Sequence, residues 1–135
     1  NNRFGDPETQ SVLARLESDL AEVFLAVTEN RLAEVELKWK KEKAVCVVLA
    51  SGGYPKKYQT GYEITGIASA EEKFGVTVYH AGTKCVDGKT VTGGGRVLGV
   101  TATAPTLEQA LQIAYKGAEE IQFTDKHFRT DIGRK

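Results

Sequence analysis

Val12, Leu13, Leu16, Leu20, Val23, Phe24 and Val27 recur at three- and four-residue spacing. That pattern predicts one helix with an apolar face about five turns long, ending at Thr28-Glu29-Asn30. Asp6-Pro7-Glu8 reads as its start: Asp can cap orphan amides, Pro is tolerated at the first helical position, and Glu favours the positive end of the dipole. Residues 31–43 mix Leu32, Val35, Leu37 and Trp39 with surface lysines, predicting a short helix and a solvated connector. Ala44–Ala50 is short, β-branched and almost uninterrupted, which predicts a strand covered on both faces, stopped by Ser51-Gly52-Gly53-Tyr54-Pro55. Further strands are expected at Ile64–Ile67, Val76–His80, Arg96–Ala102 and Phe128–Ile132. Gly82–Val86 and Lys89–Thr92 flank Asp87-Gly88, a dipeptide suited to a tight hairpin turn. Thr106-Leu107-Glu108-Gln109 opens a second helix with a capping box, and Leu107, Ala110, Leu111, Ala114, Tyr115, Ala118 and Ile121 form its apolar face. A run of strands between helices predicts an α+β fold with a mostly antiparallel sheet flanked by two helices.

Composition narrows the function classes. A chain of 135 residues with 41% hydrophobic content has the material for one folded core. Lys plus Arg and Asp plus Glu both number 18, so there is no global basic field and no nucleic-acid partner is expected. No apolar run approaches the roughly 20 residues of a membrane span. The N-terminus has neither an initiator methionine nor a signal-peptide apolar region, so a soluble chain cut from a longer one is expected. Two cysteines and two histidines without CxxC make neither a disulfide framework nor a zinc pattern, which fits a reducing, cytoplasmic setting.

The excess is in glycine, 14 residues, and four segments set it beside polar or charged side chains: Arg3–Glu8, Ser51–Pro55, His80–Lys84 and Thr92–Arg96. Each alone is an ordinary turn. Together they place bare amides at strand ends and a helix start, where ligands are commonly met. In Gly93-Gly94-Gly95-Arg96, side-chain-free residues let amides converge on an anion while a guanidinium binds carboxylate or phosphate through two bonds; the structural alternative is a β-bulge. Arg3 either serves the same chemistry or is a surface arginine paired with Asp6 or Glu8. Gly88-Lys89-Thr90 ends like a phosphate-binding P-loop, but the required first glycine falls on Thr83. His80 lacks a nucleophile motif and reads as structural; Cys46, inside an apolar run, reads as core.

Five motifs in order carry a specific resemblance: Asn1-x-Arg3-Phe4-Gly5-Asp6-Pro7-Glu8-Thr9-Gln10, Gly52-Gly53-Tyr54-Pro55, His80-Ala81-Gly82-Thr83-Lys84, Gly94-Gly95-Arg96-Val97-Leu98 with Val100-Thr101-Ala102, and Arg129-x-Asp131-Ile132-Gly133. Over the whole chain the sequence resembles the C-terminal part of the phosphoribosylamine–glycine ligase family, ATP-grasp enzymes of purine biosynthesis. The resemblance implies the end of the ATP-grasp domain at 1–30, a connector at 31–43 and a C-terminal α+β domain at 44–135. It implies ATP as co-substrate, and Mg2+ or Mn2+ held by a Glu-x-Asn pair of which Asn1 matches the asparagine. Arg3 would be catalytic, and Gly53, Lys84, Gly94, Gly95 and Arg96 would bind glycine or phosphoribosylamine. The family commonly has Asn or Ser where this chain has Gly93, which relaxes one side-chain contact of the loop. Without the preceding ATP-grasp domains of the same polypeptide the chain alone is expected to be inactive. Another ATP-grasp ligase or carboxylase, or a stand-alone anion-binding module, are the alternatives.

Overall fold

The structure is a computed structural model and describes residues 3–133. Its elements run α1 (Glu8–Leu13), α2 (Leu20–Thr28), a 3-10 turn (Leu32–Glu34), β1 (Lys43–Ala50), α3 (Ile67–Phe74), β2 (Thr77–His80), β3 (Thr83–Val86), β4 (Lys89–Thr92), β5 (Arg96–Ala104) and α4 (Leu107–Glu120). The fold is α+β, and its strands pair antiparallel as a sheet of order β1-β5-β2 and a β3-β4 hairpin. No helix is long and apolar enough to cross a membrane, among the described residues.

The alternation of β5 explains the layering. Leu98, Val100 and Ala102 stand opposite Leu49, Val47 and Val45, and these residues, with Ala104, belong to the core beneath α4. The α4 face is made of Ala110, Ala114, Gly117 and Ala118, so the helix sits close: a Cβ on Gly117 would lie 2.9 Å from Val76 Cγ1 and 3.2 Å from Val100 Cγ1. On the other sheet face α1 packs against β1 and β5, with Gln10 over Gly99 and Cys46 buried beneath. Both faces of β1 are therefore covered, as its unbroken apolar run predicts. Burial pushes the Cys46 thiol up, so this cysteine is inert core rather than a nucleophile. The Asp87-Gly88 hairpin forms with both residues at positive φ, 49° and 76°. Thr106 caps α4 by accepting from the Gln109 amide.

Among the described residues four α-helices replace the expected two. The predicted first helix is broken at residues 14–19, because Ser18 and Asp19 offer the backbone better partners than a continued helical turn. Ser18 Oγ accepts from the Lys38 amide at 2.7 Å, and Asp19 becomes the cap of α2 by accepting from Ala21 N at 2.8 Å. Leu16 then pairs with Trp39 across a single bridge. The expected Asp6 cap of the first helix does not form; no side chain caps α1. Only Ala26 of α2 is buried, while Phe24, Leu25 and Val27 remain about half exposed. The strand expected at Ile64–Ile67 is reduced to bridges at Glu63 and Thr65, and Ile67 starts α3, which Gly66 and Gly75 bound at positive φ. The tail is irregular at Phe128–Ile132; its one pairing to the sheet is one residue earlier, His127 with Ala50.

Glu120 ties α3 to the end of α4, accepting from Lys73 Nζ at 2.8 Å and Ser69 Oγ at 2.6 Å. Lys73 first, then Ser69, hold its carboxyl below the ordinary range. The stabilisation is complete above the unfolded-state value of about 4.3 and is lost as pH falls through the lower folded value. Glu120→Gln should therefore flatten the fall in stability below about pH 4.3, read as urea midpoint against pH. An unchanged slope would count against the clamp.

Candidate functional site

Three of the glycine segments meet at one end of the sheet. The chain leaves β2 through Ala81-Gly82 and enters the hairpin; it leaves the hairpin through Gly93-Gly94-Gly95 and enters β5. These connections lie directly on each other. Gly82 donates to the Arg96 carbonyl at 2.8 Å and Gly93 donates to the Gly82 carbonyl at 2.7 Å. A Cβ on Gly82 would stand 2.6 Å from Arg96 O and 2.8 Å from Gly94 Cα, so backbone occupies the space a side chain would need.

The loop after β1 clamps the same turn. Ser51, 2% exposed, donates from its amide to Gly95 O and from its hydroxyl to Gly94 O, both at 2.8 Å. The Tyr54 ring lies where a Gly95 side chain would be, and the Lys84 stem runs along Gly93, 2.8 Å from the position of a Cβ there. The carbonyls of Gly94 and Gly95 thus face inward to Ser51. Among the described residues no group accepts from their amides. The two connections are flanked in sequence by Lys84 and Arg96, and free amides with such residue types suit an anion.

Arg96 is held from the opposite end of the sequence. It donates from Nη1 to the Asp6 carbonyl at 2.8 Å, and its Nε stands 3.3 Å from Asp6 Oδ2. The bulge, the structural alternative for the triple glycine, is present just after it: Leu49 faces Leu98 but Ala50 faces Arg96, which leaves Val97 as the extra residue.

Of the candidate residues, Lys84, Gly94, Gly95 and Arg96 are brought together. Gly53 belongs to the clamping loop but has a conformational part, with φ 92° and the Lys57 carbonyl where a Cβ would be. Arg3 is exposed and donates to the Phe4 carbonyl at 2.7 Å; neither Asp6 nor Glu8 pairs with it, because Asp6 is engaged by Arg96. Three residues of chain limit its Cα to about 11 Å from that of Asp6. Asn1 lies outside the described residues. Among those described, no three His, Cys, Asp or Glu are grouped to hold a metal ion. His80 Nδ1 lies 3.0 Å from Thr83 Oγ1, a structural contact within the loop.

Three contributors were not legible as site residues: Ser51, Tyr54, and Asp6 as the partner of Arg96. Ser51 at a strand end before two glycines looks like any turn serine, and nothing local signals its burial.

The comparisons with known proteins agree on one family. The family described as phosphoribosylglycinamide synthetase, C domain, matches residues 44–135. The phosphoribosylamine–glycine ligase of Synechocystis is 50% identical over 100% of this chain and 32% of its own length. The bifunctional purine biosynthetic protein PUR2,5 of Pichia angusta is 49% identical over 100% of this chain and 17% of its own. In structure, the phosphoribosylamine–glycine ligase of Thermotoga maritima superposes with a TM-score of 0.75 at 35% identity, over 96% of this chain and 31% of that one. The chain thus spans about a third or less of these relatives. With the sequence match covering the sheet, hairpin and α4, and the solved ligase reproducing their arrangement, the chain belongs to the phosphoribosylglycinamide synthetase family, of which it carries the C domain.

Proposed function

We propose that this chain is the C-terminal part of a cytoplasmic ligase that joins glycine to 5-phosphoribosylamine at the expense of ATP, and that its glycine cluster binds an anionic substrate. The observation that supports the second half is the close approach of the Gly82, Gly93, Gly94 and Arg96 backbones, with the Lys84 stem against Gly93. In this reaction the glycine carboxylate attacks the γ-phosphate of ATP, releasing ADP and forming glycyl phosphate. The amine of phosphoribosylamine then attacks the acyl carbon, and phosphate leaves as glycinamide ribonucleotide forms. Both steps handle anions and need charge neutralisation and positioning more than a strong base. Arg96 and Lys84 supply the first; the turn fixed by Ser51 and Gly82 supplies the second. Arg3, a short reach from Asp6, would orient the carboxylate or acyl phosphate.

Mg2+ or Mn2+ would supply charge neutralisation on the nucleotide, with Asn1 as this chain's contribution. The glutamate of the family's Glu-x-Asn pair would lie two positions upstream of Asn1. Residues 1–30 would be the end of the ATP-grasp domain, which is consistent with the apolar side chains that α2 leaves exposed, Phe24, Leu25 and Val27.

The test is an assay with ATP, glycine and phosphoribosylamine. The isolated chain should yield no glycinamide ribonucleotide, and the longer polypeptide carrying it as its C-terminal part should yield it. Turnover by the chain alone, or none by the longer polypeptide, would defeat the proposal.

A further inference from the structure

We infer that Asp6 is a positioning residue: it fixes the guanidinium of Arg96 by two of its edges and leaves the third for the substrate anion. This rests on the substrate-binding reading of Arg96 above. An arginine presents donors at Nε, Nη1 and Nη2 in one plane. Asp6 takes Nη1 through its carbonyl at 2.8 Å and faces Nε with Oδ2 at 3.3 Å, which fixes that plane. Among the described residues Nη2 has no acceptor, and it is the edge that remains for a carboxylate or phosphate oxygen.

Asp6 is itself held. Gln10 Nε2 donates to its Oδ1 at 3.2 Å, and Thr9 closes the turn before it by donating from its amide to Gly5 O at 3.3 Å. Gln10 lies on α1, which packs on β1 and β5, so the carboxylate is referenced to the sheet that carries Arg96. The ion pair is about a third exposed on each side, 38% and 35%, and such pairs contribute only about 0.2–1 kcal/mol to stability. Orientation is the larger effect: a free arginine samples many rotamers, and ordering one on binding costs affinity.

The test uses the longer ligase polypeptide with four variants: Arg96→Ala, Asp6→Asn, Asp6→Glu and the Asp6→Asn/Arg96→Ala pair. Asp6→Asn is expected to raise KM about tenfold for the same substrate whose KM Arg96→Ala raises, with kcat within about twofold. Asp6→Glu, which keeps the charge, should recover most of that loss, and the paired variant should be no worse than Arg96→Ala. A purely structural Asp6 would shift both KM values and multiply on top of Arg96→Ala. Asp6→Asn with parental KM beside an impaired Arg96→Ala overturns this inference alone, as does a multiplicative pair. An unimpaired Arg96→Ala overturns the substrate-binding reading and this inference with it. Urea midpoints report folding, and should Asp6→Asn fail to fold, failure of Asp6→Glu to approach parental KM decides against the inference.

Discussion

Replacing Arg96 with alanine in the longer ligase polypeptide is expected to lower kcat/KM about 100-fold, or about 2.7 kcal/mol, with a smaller loss of folding stability read from the urea midpoint. A hydrogen bond to a charged group contributes about 1.5–3 kcal/mol, and a guanidinium makes such bonds in a fixed fork. Its structural ties are an exposed pair with Asp6, which contributes at most about 1 kcal/mol, and one hydrogen bond to the Asp6 carbonyl of about 1 kcal/mol net, so any loss of folding stability should stay below about 2 kcal/mol. Arg96→Lys keeps the charge and loses the fork, so an intermediate loss of about tenfold is expected. The measurement is steady-state kinetics with glycine and phosphoribosylamine varied in turn. Parental kcat/KM in Arg96→Ala would remove the anion-binding part of the proposal.

Gly82→Val should have the opposite signature, with stability lost first. Its Cβ would stand 2.6 Å from the Arg96 carbonyl and 2.8 Å from Gly94 Cα, both backbone atoms that cannot swing aside. Overpacking of this sort costs about 1–3 kcal/mol. The two hydrogen bonds that join Gly82 to Arg96 and Gly93 add about 1 kcal/mol each if they break. A loss of about 3 kcal/mol is therefore expected, read from urea unfolding. Gly75→Ala is the control: its φ is 65° but nothing lies within 4 Å, so only backbone strain of about 1 kcal/mol should appear. Equal losses at the two positions would show that the close approach at Gly82 is not what constrains it.

The elements that could be read from the residues are those set by local chemistry. The apolar run at 44–50, the Asp87-Gly88 turn and the Thr106 cap each carry their instruction within a few positions, and each formed; of the capping box only the Thr106 half is present among the described residues. The first helix misled because Leu16 and Leu20 keep the helical spacing across a point where Ser18 binds Lys38, 20 residues away. Helix α3 escaped notice because it is short, buries only Ala70 and is bounded by glycines rather than by side-chain caps. The tail was read as a strand from its apolar residues, yet Phe128 and Ile132 pack against the core without joining a ladder.

The candidate site divides along the same line. Glycine beside lysine or arginine in three of the four segments is what suggests anion chemistry, because bare amides and cations are properties of residue type, and the order of the motifs marks the family. Their meeting is a tertiary fact: Ser51 reaches Gly94 over 43 positions and Asp6 reaches Arg96 over 90. So the sequence by itself determined β1, β2, the hairpin, β5, α4 and the family. Only the packing of β1, β2 and β5 under α1 and α4 decided which glycines touch, which serine is buried and which carboxylate orients the arginine, since those contacts join residues that share no local pattern.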